Sequence, residues 1–458
     1  MNSDRIKKSI LNISVILALI LFFFLYYINL SRENKISLSP EIETLTVPYP
    51  KSSELKESKN VYKRYTPGEI TGVYIDVFST RDKSGKIFSF SDFDLIADWD
   101  TDFNPILDAY VQFADDEKQP KGQAVNMPNA TIKVKGNPSA SLKSYRIKFM
   151  DGSPGYKGQS VFNLNKHLND PSRIANKLAH DLIYDLQHIS GFRTEFVELY
   201  IRDDSLGDKK KDYHSYGLYT HIEQPNKTYL RSRGLDENAS LYRAENFYFQ
   251  FTPQIKNVGD SDYDKDLFET VLAIREGKDH TKLIQMLSDI NDESKDFKEV
   301  FYTYFNEDNY LTWLAINILL GNSSGISEGF LLYNPSDSMV FYLLPWDFDK
   351  IHQWMEEEDD RPNIYEELNN VGLHRKYLQL DGSIEKLKLR VQELNNDALS
   401  TKRVKSLIKQ YKPVLLEMMR QYPDDVLSSI GLNEQIAYLG QIDERILMNY
   451  QDFMRRYQ

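Results

Sequence analysis

The chain has 458 residues, with 56 Lys+Arg against 68 Asp+Glu. The resulting formal charge of −12 argues against a nucleic-acid backbone as its main partner, because such partners select basic surfaces. Cysteine is absent, which excludes disulfide frameworks, thiol nucleophiles, Cys-ligated zinc and iron–sulfur clusters together. In chain order, residues 1–9 form a short tail carrying Arg5, Lys7 and Lys8. Residues 10–30 are almost wholly apolar and uncharged, with Tyr26 and Tyr27 near one end. A run of about 20 such residues spans a bilayer core, and tyrosines suit its interface. A cleaved signal peptide has a shorter apolar region, about 7–15 residues, and a small-x-small site. YYINLSREN offers no such site, so the expectation is an uncleaved, single-pass signal-anchor helix. The basic flank then stays inside and the body lies outside the cytoplasm. Residues 31–65, rich in Ser, Lys, Glu and Pro, read as a linker.

The body starts near Thr66. GVYIDVFST, LDAYVQFAD, ATIKVKGN and SYRIKFM alternate apolar and polar residues between Asp, Gly, Pro and Asn clusters, the last two joined by a turn at Gly136-Asn137-Pro138. They predict a largely antiparallel sheet. NKLAHDLIYDLQHIS has helical spacing at Leu178, Leu182, Ile183 and Leu186. FRTEFVELYIR and YGLYTHIEQ predict two more strands, TKLIQMLSDI and DNYLTWLAINILLGN helices, and GFLLYN with MVFYLLPWD a hairpin. The last eighty residues are helical, and Leu439, Ile442, Ile446, Tyr450 and Phe453 mark one apolar helix face. The class is α+β, sheet-rich first and helical last.

Four constellations can carry chemistry. In LLPWDFDK, Asp347 and Asp349 stand two residues apart after an apolar strand. If extended geometry persists they share a face, and two carboxylates hold a hard cation that can bridge phosphate oxygens. Two solvated acids at a strand end are the plain alternative. In TIKVKGNPSASLKSYRIKF, Lys133 and Lys135 alternate with apolar residues, and Ser144, Arg146 and Lys148 share one face. That basic row is either a polyphosphate cradle or the wet face of a strand. Glu223 sits in an apolar strand pattern near His221 and Lys227. It can orient a phosphate-binding cation or lie at the surface. The turn GNSSGISEGFLLYN offers Asn322, Ser323, Ser324, Ser327 and Glu328 on a rigid frame. The acidic run Glu356–Asp360 reads as a solvated loop, and the eight histidines show no H-E-x-x-H spacing, which argues against a zinc hydrolase. Neither G-x-S-x-G nor a P-loop occurs.

In this order, KGNPSASLKSYRIKF, YGLYTHIEQPNKTYL, AINILLGN and GFLLYN…FYLLPWDFDK resemble the spore coat protein H (CotH) kinase family. The resemblance covers roughly residues 70–350. It implies an atypical protein-kinase-like fold over 66–380, with 381–458 a helical extension packed on it. It further implies phosphorylation of protein Ser/Thr with ATP and Mg²⁺ or Mn²⁺. Lys143, Arg146, Lys148 and Glu223 then fall to the nucleotide, and Asp347 and Asp349 to the metal. One departure matters. Where the family pattern G-N-x-D-x-x-x-x-N carries a catalytic aspartate and a metal-binding asparagine, alignment on Gly321-Asn322 puts Ser324 and Gly329. Serine cannot accept a hydroxyl proton as a carboxylate does, a loss of about 10²–10⁴-fold. Returning Asp and Asn to those positions is expected to increase transfer. The expectation is therefore a membrane-anchored kinase-fold protein, weak or inactive in phosphotransfer, that acts on a protein and not on nucleic acid. An active kinase using Glu328 is one alternative. A non-nucleotide envelope-binding module is the other.

Overall fold

The computed structural model describes residues 54–63, 65–97, 103–114, 127–136, 143–167, 170–205, 212–349, 351, 363–428 and 430–458. Every described residue belongs to one compact unit, Pro50–Gln458. The apolar stretch 10–30, the linker to residue 53, Asn137, Pro138 and the run Glu356–Asp360 lie outside the described residues. Among the described residues no helix is long and apolar enough to cross a membrane.

The fold is mixed α and β, with sheets first and helices last. Thirteen strands are described: β1 (Ile70–Val77), β2 (Thr80–Arg81), β3 (Ile87–Phe88), β4 (Leu107–Phe113), β5 (Ala130–Lys135), β6 (Ser144–Phe149), β7 (Val161–Asn165), β8 (Thr194–Asp203), β9 (His214–Glu223), β10 (Ser240–Ala244), β11 (Leu272–Glu276), β12 (Phe330–Asn334) and β13 (Tyr342–Pro345). Seven of them close into a barrel in the order β1-β4-β5-β6-β7-β9-β8. Neighbours run antiparallel except β1 and β8, whose parallel pairing closes the ring. Closure leaves no unpaired edge. Because side chains alternate along a strand, Ile132 and Val134 of β5, Tyr145 and Ile147 of β6, and Phe162 and Leu164 of β7 join one buried cluster. Lys133, Lys135, Arg146 and Lys148 are thereby turned to the other face.

The second sheet has the order β11-β10-β12-β13, and every residue of β12 and β13 is buried. Beside it the helix Glu307–Leu320 buries every residue from Asn309 on. A helix apolar on all sides belongs at the centre of a core. Asn306 caps it through its side-chain oxygen, and Gly321 ends it at φ 63°.

The C-terminal helices are built into this body. Within Ser383–Asn396, Lys386 and Arg390 pair with Glu307 and Asp308 of the central helix. Tyr411 donates to Asp181 at 2.5 Å. Asp424 is buried, 2.9 Å from the Lys166 ammonium and 3.2 Å from the Arg173 guanidinium, and accepts from the Leu218 N–H at 2.6 Å. The apolar face expected from Leu439 to Phe453 is split in two. Leu439 ends the helix Leu432–Leu439, and after a turn at Gly440 the helix Ile442–Arg456 buries Ile442, Ile446 and Phe453. The end of the expected linker also belongs to the body: Leu55 and Tyr62 are buried, and Glu57 pairs with Arg233 at 2.9 Å.

Candidate functional site

The strand β13 delivers Trp346-Asp347-Phe348-Asp349 to the edge of the second sheet. Asp347 N–H donates to Gly329 O at 2.8 Å, and Gly329 N–H to Ala244 O at 2.9 Å, so the ladder continues past the strand end. Asn322 donates from its side chain to Asp347 O (3.2 Å) and Asn317 (2.9 Å), which ties the acid's backbone to the end of the central helix. Phe348 is buried edge-on against His180, and its N–H donates to the Asn176 side-chain oxygen at 2.9 Å. With Phe348 buried, Asp347 and Asp349 line the same cavity, about 260 Å³ in volume, together with Arg243, Glu245, Ser324 and Glu328.

Burial first, and then the Asp349 charge, push the Asp347 carboxyl up to about 6. The Asp349 N–H, which donates to Asp347 Oδ1 at 3.1 Å, and the charges of Lys135 and Arg243 only partly offset this. Two acids crowded into one cavity are a poor arrangement without a counter-ion.

Opposing cations come from the barrel wall (Lys135 and Arg146) and from the second sheet (Arg243 of β10 and Arg275 of β11). In the register of β5, β6 and β7, Lys133 lies opposite Arg146 and Arg146 opposite Asn163. Arg146 Nε donates to Asn163 at 3.2 Å and its terminal nitrogen to Gln224 at 3.4 Å. Lys135 donates to Asn165 at 2.5 Å. Burial lowers the Lys135 pKa to about 8, against the pull of Asp349 and Asp347 and with the push of Arg146 and Arg243. Arg275 is lowered to about 10 by burial and then by Arg243, with Arg146 adding to the effect. Its Nε is buried without a hydrogen-bond partner. The three guanidinium groups repel one another, and Glu245 partly offsets this by accepting from Arg243 Nε at 2.6 Å. With Arg243 lining the same cavity as Asp347 and Asp349, the cluster suits a polyanion bridged by a cation.

The expected site residues fall into two groups. Ser324, Glu328, Asp347 and Asp349 line one cavity, and Arg146 acts on the same Lys135 that feels both acids. Lys143 stands apart, with Nζ 3.9 Å from Asp94 and its carbonyl accepting from Tyr219 OH. Lys148 is exposed at the far end of β6, opposite Thr131. Glu223 is buried between Arg193 (2.5 Å) and Arg233 (2.7 Å), not beside Lys227 or His221. His221 instead stacks on Phe162. Burial pushes the Glu223 carboxyl up, but Arg233 and Arg193 pull it down to about 2, so it is a structural ion pair. Its neighbour Gln224 is the residue that reaches Arg146. A larger cavity, about 470 Å³, is lined by Lys63, Tyr65, Glu69, Lys157, Arg193 and Glu195, and holds none of the acids Glu328, Asp347 and Asp349.

Arg243, His167 and Asn176 are contributors that sequence reasoning did not assign to the site, and Lys135 entered it only as part of the basic row. His167 Nδ1 is 3.0 Å from Asp349 Oδ1, and Asn176 donates to that same oxygen. Burial opposes charge on His167, yet the Asp349 charge and hydrogen bond win and its pKa is raised. Only the alternation of Lys133 and Lys135 with apolar residues carried a signal; nothing marks the other three.

Among the described residues no group of three or more His, Asp or Glu could by itself hold a metal ion. Two carboxylates match Mg²⁺ or Mn²⁺, ions of the kind that keep waters and add phosphate oxygens instead of filling an all-protein cage.

The CotH kinase protein family matches residues 132–431 of the chain. The chain is 26% identical over 248 residues to the inner spore coat protein H of Bacillus subtilis (strain 168). That overlap covers 51% of this chain and 62% of the relative, so it spans less than two thirds of the relative's length. Among solved structures, a chain of the Shewanella oneidensis MR-1 toxin–antitoxin complex of HipA, HipB and operator DNA overlaps 74% of this chain and 66% of its own. At 10% identity and a TM-score of 0.27 it carries no argument here.

Proposed function

The chain belongs to the CotH kinase family, and from that premise we propose that its cleft takes ATP with Mg²⁺ or Mn²⁺ inside a protein-kinase-like fold. Asp347 and Asp349 would hold the cation, and Lys135, Arg146 and Arg243 the polyphosphate. The observation that carries this reading is that Asp347, Asp349 and Arg243 line one cavity, with the charges of both acids reaching Lys135. Lys143, with Nζ toward Asp94, Lys148, exposed at the far end of β6, and Glu223, held by Arg193 and Arg233, have no part in it. The cation, when bound, neutralises charge on the phosphoryl group. The protein's own share is charge-assisted hydrogen bonding from Arg146 and Arg243, which orients the phosphates.

Transfer to a protein Ser or Thr hydroxyl is weak in this reading, because Ser324 stands at the position of the proton-accepting aspartate. A second reading has a specific support: Glu328 lines the same cavity as Asp347 and can accept that proton itself. Anchoring through residues 10–30, with the body outside the cytoplasm, completes the proposal. The test is transfer of label from γ-labelled ATP by the full-length chain with Mn²⁺, alongside Asp347→Ala and Glu328→Gln. Label lost in Asp347→Ala supports the site, and a further loss in Glu328→Gln selects the second reading. Undiminished label in Asp347→Ala would count against both.

A further inference from the structure

Asp349 is an unusual acid to find so firmly held. Its side chain is 55% exposed, and an exposed carboxylate ordinarily samples several rotamers. Here two donors converge on its Oδ1. One is His167 Nδ1 at 3.0 Å and the other is Asn176 Nδ2. We propose that His167 and Asn176 are positioning residues that fix the Asp349 carboxylate for the cation, a proposal that rests on reading the acid pair as a cation site.

The geometry of each donor supports the role. Asn176 is 3% exposed and grips two consecutive residues at once, accepting from Phe348 N–H at 2.9 Å while donating to Asp349. Its amide thus links the backbone and the side chain of the acid loop, which sets the direction in which the carboxylate leaves the chain. His167 reaches Asp349 from a backbone φ of 50°, a left-handed conformation that a non-glycine residue holds only when its surroundings impose it. Its side chain is 8% exposed, and Nε2 is buried with no hydrogen-bond partner. The imidazole therefore forgoes hydration on one nitrogen to place the other on an exposed acid. The backbone before it is pinned as well. Arg173, itself at φ 60°, donates to Lys166 O at 2.9 Å while pairing with the buried Asp424. Hydrogen-bond partners that orient metal-binding groups typically cost 10–100-fold in metal affinity when removed.

The experiment is a Mn²⁺ titration of the full-length chain, followed by the free-ion electron paramagnetic resonance signal. Wild type, Asp347→Ala, His167→Ala and His167→Gln are compared, each with its melting temperature measured without metal. His167→Ala is expected to raise the Mn²⁺ Kd about 10–100-fold. His167→Gln, which keeps a donor, is expected to recover part of that. A His167→Ala variant that melts lower yet binds Mn²⁺ within twofold of wild type overturns the proposal, because the contact then serves stability alone. Wild type that takes up no more Mn²⁺ than Asp347→Ala overturns the cation reading instead. In that event the low-field imidazole N–H spectrum still decides on the contact. A His167 Nδ1–H resonance that disappears in Asp349→Ala supports the clamp, and one that persists unchanged refutes it.

Discussion

Gly329 and Asp347 lie in direct contact: a β-carbon built on Gly329, at φ 67°, would sit 2.9 Å from the β-carbon of Asp347. Carbon atoms pack at about 3.5–4.0 Å, so no side chain fits there without displacing the acid. Alignment had set this glycine against a metal-binding asparagine, with the expectation that restoring Asn would help. The geometry predicts the reverse. Gly329→Asn should lose on the order of 1–3 kcal/mol of stability through overpacking and weaken the response to Mn²⁺ and ATP. Melting curves with and without the nucleotide check both; an enhanced response would contradict the contact.

Asp347 pulls in two directions. Its carboxyl is pushed up to about 6 by burial and by Asp349, so at pH 8 its charge destabilises the cation-free protein. Asp347→Asn removes that charge. It is expected to stabilise the chain in EDTA by on the order of 2 kcal/mol while abolishing the gain from Mn²⁺ and ATP. Urea unfolding at pH 8 measures the first effect and thermal shift the second. Destabilisation in EDTA would show that the carboxylate already has sufficient partners.

Much of the fold was legible because one side of each barrel strand faces a dry interior. The alternation in β5 and β6 was visible for that reason. In β7, Asn163 and Asn165 are buried beside Phe162 and Leu164, which erased the period. The short strands β10 and β11 carried no pattern at all. At the C-terminus Leu439 kept helical spacing across Gly440 by coincidence, since a turn separates it from Ile442. In the site, the D-x-D pair stood out as charge after an apolar run. His167, Asn176 and Arg243 are joined to it only by tertiary contacts across more than a hundred residues. Sequence proximity suggested His221 and Lys227 as partners of Glu223, whereas Arg193 and Arg233, which hold it, lie 30 and 10 residues away.

The Glu223 ion pair sets a pH dependence. Burial raises the carboxyl, and Arg233 and Arg193 more than offset it, holding it at about 2 against an ordinary 4.5. A depressed acid adds stability above its ordinary pKa and loses it as pH falls through the folded value. Glu223→Gln leaves Arg193 buried without its acid and Arg233 with Glu57 alone, and should cost about 3 kcal/mol at pH 7. The gap to wild type should narrow from pH 4.5 downward toward 2. Melting temperatures across that range test this, and a constant gap would assign the loss to packing.

The helical C-terminus should prove inseparable from the body. Asp424→Ala strands Lys166 and Arg173 as unpaired buried charges, at about 3–5 kcal/mol. A chain ending at residue 380 also loses the Arg390–Asp308 and Tyr411–Asp181 contacts. It is expected to fail to fold, as read by circular dichroism and proteolysis. A stable, protease-resistant 1–380 fragment would show these helices to be an independent addition.

The acids at Asp347 and Asp349 and the cations at Lys135, Arg146 and Arg243 have a joint purpose only if a metal–nucleotide complex fits between them. Thermal unfolding of the full-length chain, titrated with ATP in the presence of Mn²⁺, measures this most directly. A ligand at 100 times its Kd stabilises by about 2.7 kcal/mol. The shift should appear in wild type, shrink in Arg146→Ala and vanish in Asp347→Ala. No shift in wild type, or an equal one in Asp347→Ala, would contradict the account.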